Sequence, residues 1–112
     1  MTNAQNHIDN NFAKTVEEVK VETVFLNEVI NGTTIIADKL TGKLEIKDYP
    51  HLKKILLKDH ELEEITIINC PLLEEIDVGK NKITKLDIEK IKIDTLMADS
   101  NFFIPLIFVF TD

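Results

Sequence analysis

Tryptophan is absent, and one tyrosine and six phenylalanines are the only aromatics among 112 residues. That scarcity favours a core of branched aliphatics over an aromatic-lined pocket. Cys70 is the single cysteine, so no intrachain disulfide framework exists. No histidine or acid stands near it at the spacing of a nucleophile's partner, and it reads as a small buried thiol. Glycine is confined to Gly32, Gly42 and Gly79, too few and too dispersed for a phosphate-cradling loop. His7, His51 and His60 are equally scattered, with no ligand spacing for a metal. Positive charge is also short. Thirteen basic residues against twenty acidic ones leave a net charge of −7, which argues against nucleic acid or an anionic membrane surface as partner. The longest apolar run, 102–110, is about half of what a bilayer-spanning helix needs. The opening MTNAQNHIDNNF lacks the apolar stretch of a secretory signal, so Asn31-Gly32-Thr33 reads as a chance glycosylation pattern. A cytoplasmic location is expected.

Against these absences stands a hydrophobic content of 44 %, mostly Ile, Leu and Val. From Leu44 onward aliphatic pairs two residues apart recur at Leu44/Ile46, Ile55/Leu57, Ile65/Ile67, Ile76/Val78, Leu86/Ile88 and Leu96/Ala98, with steps of 11, 10, 11, 10 and 10 residues. Residues i and i+2 of a strand point the same way, so each pair faces a core while the residue between faces solvent. Amphipathic helices would need i, i+3, i+4, i+7 spacing. A weak version runs through Leu52, Ile55 and Leu56 but does not recur at 65 or 86.

Two steps make a period of about 21 residues, within the range of leucine-rich repeats. The run Leu73-Glu-Glu-Ile76-Asp-Val78-Gly-Lys-Asn81-Lys-Ile83 fits L-x-x-L-x-L-x-x-N-x-L throughout. Leu52 to Leu62 fits with His60 in place of Asn, and Ile93 to Phe103 fits with weaker apolar residues and Asn101. Half-repeats from Leu62 to Leu72 and from Ile83 to Ile93 lie between. The x-x-N place is expected to turn inward and satisfy backbone groups at the corner. His60, Asn81 and Asn101 hold it in one series, and Tyr49, Cys70 and Ile91 in the other.

On these residues, on the segments Leu40–Ile55, Asn69-Cys70-Pro71-Leu72 and Asn81–Ile88, and loosely on the Asn3–Asp9 opening, the chain resembles over roughly 3–101 leucine-rich-repeat proteins of the type abundant in glomeromycete-type fungi. The resemblance implies a mainly β, curved solenoid of about 21-residue coils with two short strands per coil, used for protein–protein interaction. It brings no catalytic residues, and fold membership alone says little of the ligand.

Three segments are expected: 1–39 as a polar start and cap, 40–101 as the repeats, and 102–112 as an apolar tail. Thr15-Val-Glu-Glu18 has capping-box form, and Phe12, Val16 and Val19 have helical spacing, whereas Val19-Lys-Val21-Glu-Thr-Val24 alternates like a strand. Both readings stay open. Thr33–Ala37 after Asn31-Gly32 reads as a strand after a turn. The tail reads as a closing strand, as the end of a truncated or mis-assembled chain, or as an exposed partner-docking or membrane-surface strip; each leaves a β-prone, uncharged window that promotes association if exposed.

Function is expected on the outward residues of the strands: Lys54, Leu56, Lys58, Glu75, Asp77, Gly79, Thr95, Met97 and Asp99 on one face, with Lys58, Asp77 and Met97 in neighbouring rows. The other face carries Glu45, Lys47, Glu64, Thr66, Ile68, Lys85, Asp87 and Glu89. The binding residues expected are Lys54, Leu56, Lys58, Glu75, Asp77, Thr95 and Met97, facing a protein or peptide. Carboxylates Glu64, Glu75, Asp77, Asp87 and Glu89 could be drawn as a polysaccharide-cleaving site, but so few coils build no long groove. A non-enzymatic protein without cofactor is therefore expected. Its competing class is a self-assembling fragment driven by 102–110.

Overall fold

The computed structural model describes residues 2–23, 35–89, 94–99, 101 and 107–111, with backbone alone at 35–37 and 107–111. In chain order the elements are β1 (Thr2–Asn3), α1 (Ala4–Asn11), β2 (Glu18–Thr23), β3 (Ile35–Ala37), β4 (Leu40–Lys47), β5 (Lys54–Leu56), β6 (Glu61–Ile68), β7 (Glu75–Asp77), β8 (Lys85–Glu89), β9 (Thr95–Met97) and β10 (Ile107–Thr111). The i, i+2 aliphatic pairs sit in these strands or one residue past their ends. All pairings are parallel, and the strands sort into two sheets ordered β1-β4-β6-β8-β10 and β3-β2-β5-β7-β9.

Register aligns like with like. Leu44, Ile65 and Leu86 lie side by side in the first sheet, as do Ile46, Ile67 and Ile88. Val19, Ile55, Ile76 and Leu96 do so in the second. The inward rows of both sheets share one hydrophobic cluster, in which Ile46, Ile55, Ile65, Ile67 and Ile76 are fully buried. Each such side chain contributes about 1.5–3 kcal/mol through burial.

The expected leucine-rich-repeat solenoid is corrected by this arrangement. The fold is mainly β, in two open parallel sheets with one short helix among the described residues, and neither sheet closes into a barrel. Strand lengths are unequal, eight residues in β4 and β6 against three in β5, β7 and β9. The alternation between sheets also fails in the N-terminal third, where β2 and β3 follow one another in the same sheet. Physically, the paired apolar spacing decides which side chains face inward and which strands can align. It does not require the chain to build uniform coils.

The x-x break between Leu62 and Ile65 has a structural cause. Gly42 pairs with Leu62 and Lys43 with Glu64, so Glu63 is an extra residue in β6. This bulge resets the alternation and lets Leu62 and Ile65, three apart, both point inward. Gly42 matches it from β4 with φ +91°, a left-handed conformation suited to glycine.

The helix is α1, earlier in the chain than the 12–19 spacing had indicated, and Glu18–Thr23 is a strand. The Asn3 side chain caps it by accepting from the Asn6 N–H at 2.9 Å. Ala4, Ile8 and Phe12 are buried, so the polar opening carries a narrow apolar stripe. Gln5 then treats β4 as a strand would: its side-chain oxygen accepts from the Glu45 N–H at 2.7 Å and its amide donates to the Glu45 carbonyl at 3.0 Å. Lys14 donates to the Lys47 carbonyl at 2.8 Å and lies over the Tyr49 ring, 4.3 Å from its centroid. Together these groups occupy the outer edge of β4 beyond its short pairing with β1.

Corners are satisfied from within. Asn81 accepts from the Leu62 N–H at 3.0 Å and donates to the carbonyls of Leu57, Val78 and Gly79. Asn101 repeats this one step on, accepting from Ile83 at 2.9 Å and donating to Val78, Ala98 and Asp99. His60 takes the equivalent place beside Asn81, accepting from the Leu40 N–H at 3.0 Å and lying 2.7 Å from the Val21 carbonyl. In the other series Tyr49 and Cys70 are buried, and Ile91 lies outside the described residues. Asp48, Asp59, Asn69 and Lys80 adopt left-handed φ of 53–63° at successive corners. The Asn31-Gly32 turn likewise lies outside the described residues, while Ile35–Ala37 forms β3.

Candidate functional site

Parallel register assembles the outer face of the second sheet into two rows. One row reads Glu18, Lys54, Glu75, Thr95, and the next reads Lys20, Leu56, Asp77, Met97. Neighbouring members are one strand spacing apart, about 4.8 Å. Of the residues expected to bind, Lys54, Leu56, Glu75, Asp77, Thr95 and Met97 are thus brought together. Lys58 is not in these rows, because β5 ends at Leu56, and Leu56 rather than Lys58 aligns with Asp77 and Met97.

Gly79 is a second departure, since it is buried rather than outward. Its N–H donates to the Asp77 carboxylate at 3.1 Å, and a Cβ there would meet the Asp99 carboxylate at 2.8 Å. Glu18 and Lys20 were missed. Their signal was present in the alternation of Val19 and Val21, which equally fitted a helix beginning near Thr15.

Charges on this face are mostly uncommitted. Lys20 pairs with Glu22 at 3.4 Å along its own strand, whereas no ion pair among the described residues holds Lys54, Glu75 or Asp77. Leu56 is half-buried and Met97 is 40 % exposed, one of two large apolar side chains open to solvent among the described residues. The face therefore offers charge of both signs, without ion pairs among the described residues, beside accessible apolar surface. Binding groups of that kind need not overcome an existing ion pair.

The outer face of the first sheet is more self-contained. Lys43 pairs with Glu64 at 3.2 Å across strands, and Lys85 pairs with Asp87 at 3.3 Å. A shallow depression of about 390 Å³ lies there, lined by Thr66, Ile68, Lys85, Asp87 and Glu89. The five carboxylates weighed for catalysis are divided between the two outer faces: Glu64, Asp87 and Glu89 on the first sheet, Glu75 and Asp77 on the second. They do not converge on one site. Among the described residues no group of three or more His, Cys, Asp or Glu is placed to hold a metal ion.

Cys70 and His60 are interior, and His7 is half-buried. Burial pushes the Cys70 thiol up from its ordinary value, and its Sγ lies 3.4 Å from the Ile68 carbonyl. Burial lowers the basicity of His7 and His60. No helix among the described residues is long and apolar enough to cross a membrane. No family model, curated protein or solved structure matches this chain.

Proposed function

We propose that the chain is a non-catalytic binding module that engages a protein or peptide through the outer face of its second sheet. The observation that carries this reading is the in-register row Leu56, Asp77, Met97 beside Lys54, Glu75, Thr95, where charges without ion pairs among the described residues flank accessible apolar side chains. Backbone pairing holds the rows rigidly, so a partner would meet a pre-formed surface at little ordering cost. The reading needs no cofactor. A reduced cytoplasmic setting fits the free, buried Cys70.

The test is partner capture from a native extract by the wild-type chain and two variants of verified fold. Leu56→Glu with Asp77→Lys should abolish capture, and Thr66→Lys on the opposite face should leave it intact. Equal retention by both variants would sink the proposal.

A self-assembling role through 102–110 is the second reading. It is favoured by the backbone of Ile107–Thr111, which pairs with β8 on one side and has no strand partner on the other among the described residues. Sedimentation of the full chain over roughly 10–200 µM, a range spanning weak association, separates the two. A monomer throughout ends the self-assembly idea.

A further inference from the structure

His60 differs in kind from the two residues that share its structural role. Asn81 and Asn101 bridge backbone groups with amides that do not titrate, whereas an imidazole bridges only in its neutral form. The ring is 2 % exposed. Nδ1 takes the Leu40 N–H at 3.0 Å, so it carries no proton, and Nε2, 2.7 Å from the Val21 carbonyl, must be the donor. One neutral tautomer is thereby selected.

The two backbone groups belong to different sheets. Leu40 opens β4 and pairs with Thr2 of β1, while Val21 lies in β2, which pairs with β5. We propose that His60 is a proton-operated latch fastening β2 to the start of β4, closed when neutral and opened by protonation. A proton on Nδ1 would oppose the Leu40 N–H donor to donor, and would leave a charge in a buried site.

The surrounding charges do not rescue the protonated ring. Burial is the chief influence and disfavours it, and the Val21 carbonyl and Asp59 only partly offset this. Lys39 and His7 act with burial, and Lys39 also draws Asp59 to itself at 3.4 Å. Elsewhere on the packed elements, Lys20 and Glu22 of β2 pair with each other, and Glu61 of β6 pairs with Lys82. Asp9 and His7 are the titratable groups of α1, and His7 Nε2 is buried without a hydrogen-bond partner among the described residues.

Because the folded ring is less basic than the unfolded one, the latch contributes fully above about pH 6.5 and loses its contribution as pH falls below that value. Opening should be local. The inward rows of β6, β7 and β8 make no bond to His60, and Asn81 and Asn101 keep their corners closed at any of these pH values.

Hydrogen exchange on the full chain provides the test, corrected for the intrinsic pH dependence of exchange. Between about pH 7.5 and 5, protection of Leu40 and of amides in β2 should fall roughly tenfold or more, while Ile76 and Leu86 hold. His60→Asn, which installs the side chain used at the other two corners, should flatten that response. A uniform loss across all strands overturns the latch, and so does a response that survives in His60→Asn, which would assign it to His7. Nitrogen chemical shifts of the wild-type ring decide the matter if the variant does not fold. A neutral ring protonated on Nε2 and titrating below an ordinary histidine supports the latch. A ring protonated on Nδ1, or titrating at the ordinary value, overturns it.

Discussion

Single side chains carry unequal shares of this fold, and Asn81 carries one of the largest. Its amide serves one N–H and three carbonyls, all at a buried corner. Asn81→Ala should destabilise the protein by about 2–3 kcal/mol in urea unfolding, because the Leu62 N–H and Leu57 carbonyl would be left without partners. A loss below about 0.5 kcal/mol would mean that water replaces the amide freely. Cys70 gives a residue-level probe of opening. It is fully buried, and burial raises its thiol above the ordinary value. Reaction with a thiol reagent in native buffer should be roughly a hundredfold or more slower than in denaturant; comparable rates would contradict the burial.

At the scale of elements, the central strand of the first sheet should be the most sensitive. Ile65→Ala in β6 removes a fully buried side chain flanked by Leu44 and Leu86 on both neighbouring strands, and should cost about 3 kcal/mol by denaturant melt. Gly42→Ala tests the bulge differently. No atom crowds the position, so only its left-handed φ resists a side chain, and the expected loss is about 1 kcal/mol. Much at this scale was legible in advance. The i, i+2 aliphatic pairs announced which residues point inward, and Leu44/Ile46 through Leu86/Ile88 are all buried. What they could not announce is how strands group, since side-chain alternation is indifferent to whether neighbouring segments form uniform coils or two sheets of unequal strands. Residues 4–11 escaped notice because only Ala4 and Ile8 of that helix are buried, too sparse a stripe to stand out.

For the molecule as a whole, the N-terminal segment is part of the architecture rather than an appendage: β1 and β2 join different sheets and α1 covers an edge. Deleting residues 1–12 should expose the edge of β4 and the side of Tyr49 now facing Phe12, and cause concentration-dependent association in sedimentation velocity. An unaltered monomer would show that the cover is dispensable. The candidate binding face was only partly readable at this scale. Lys54, Leu56, Glu75, Asp77, Thr95 and Met97 followed from alternation, but Glu18 and Lys20 belong to it through a pairing between residues 36 apart in sequence, Glu18 with Lys54. Lys58 fell away because β5 is only three residues long.

Strand order also has a mechanical meaning. β1 and β10, the first and last strands described, lie on opposite edges of one sheet, with β4, β6 and β8 between them. Because these strands are all parallel, tension drawn from the start of β1 to the end of β10 would run diagonally over the sheet, with a component along the strands that loads the bonds of each ladder together.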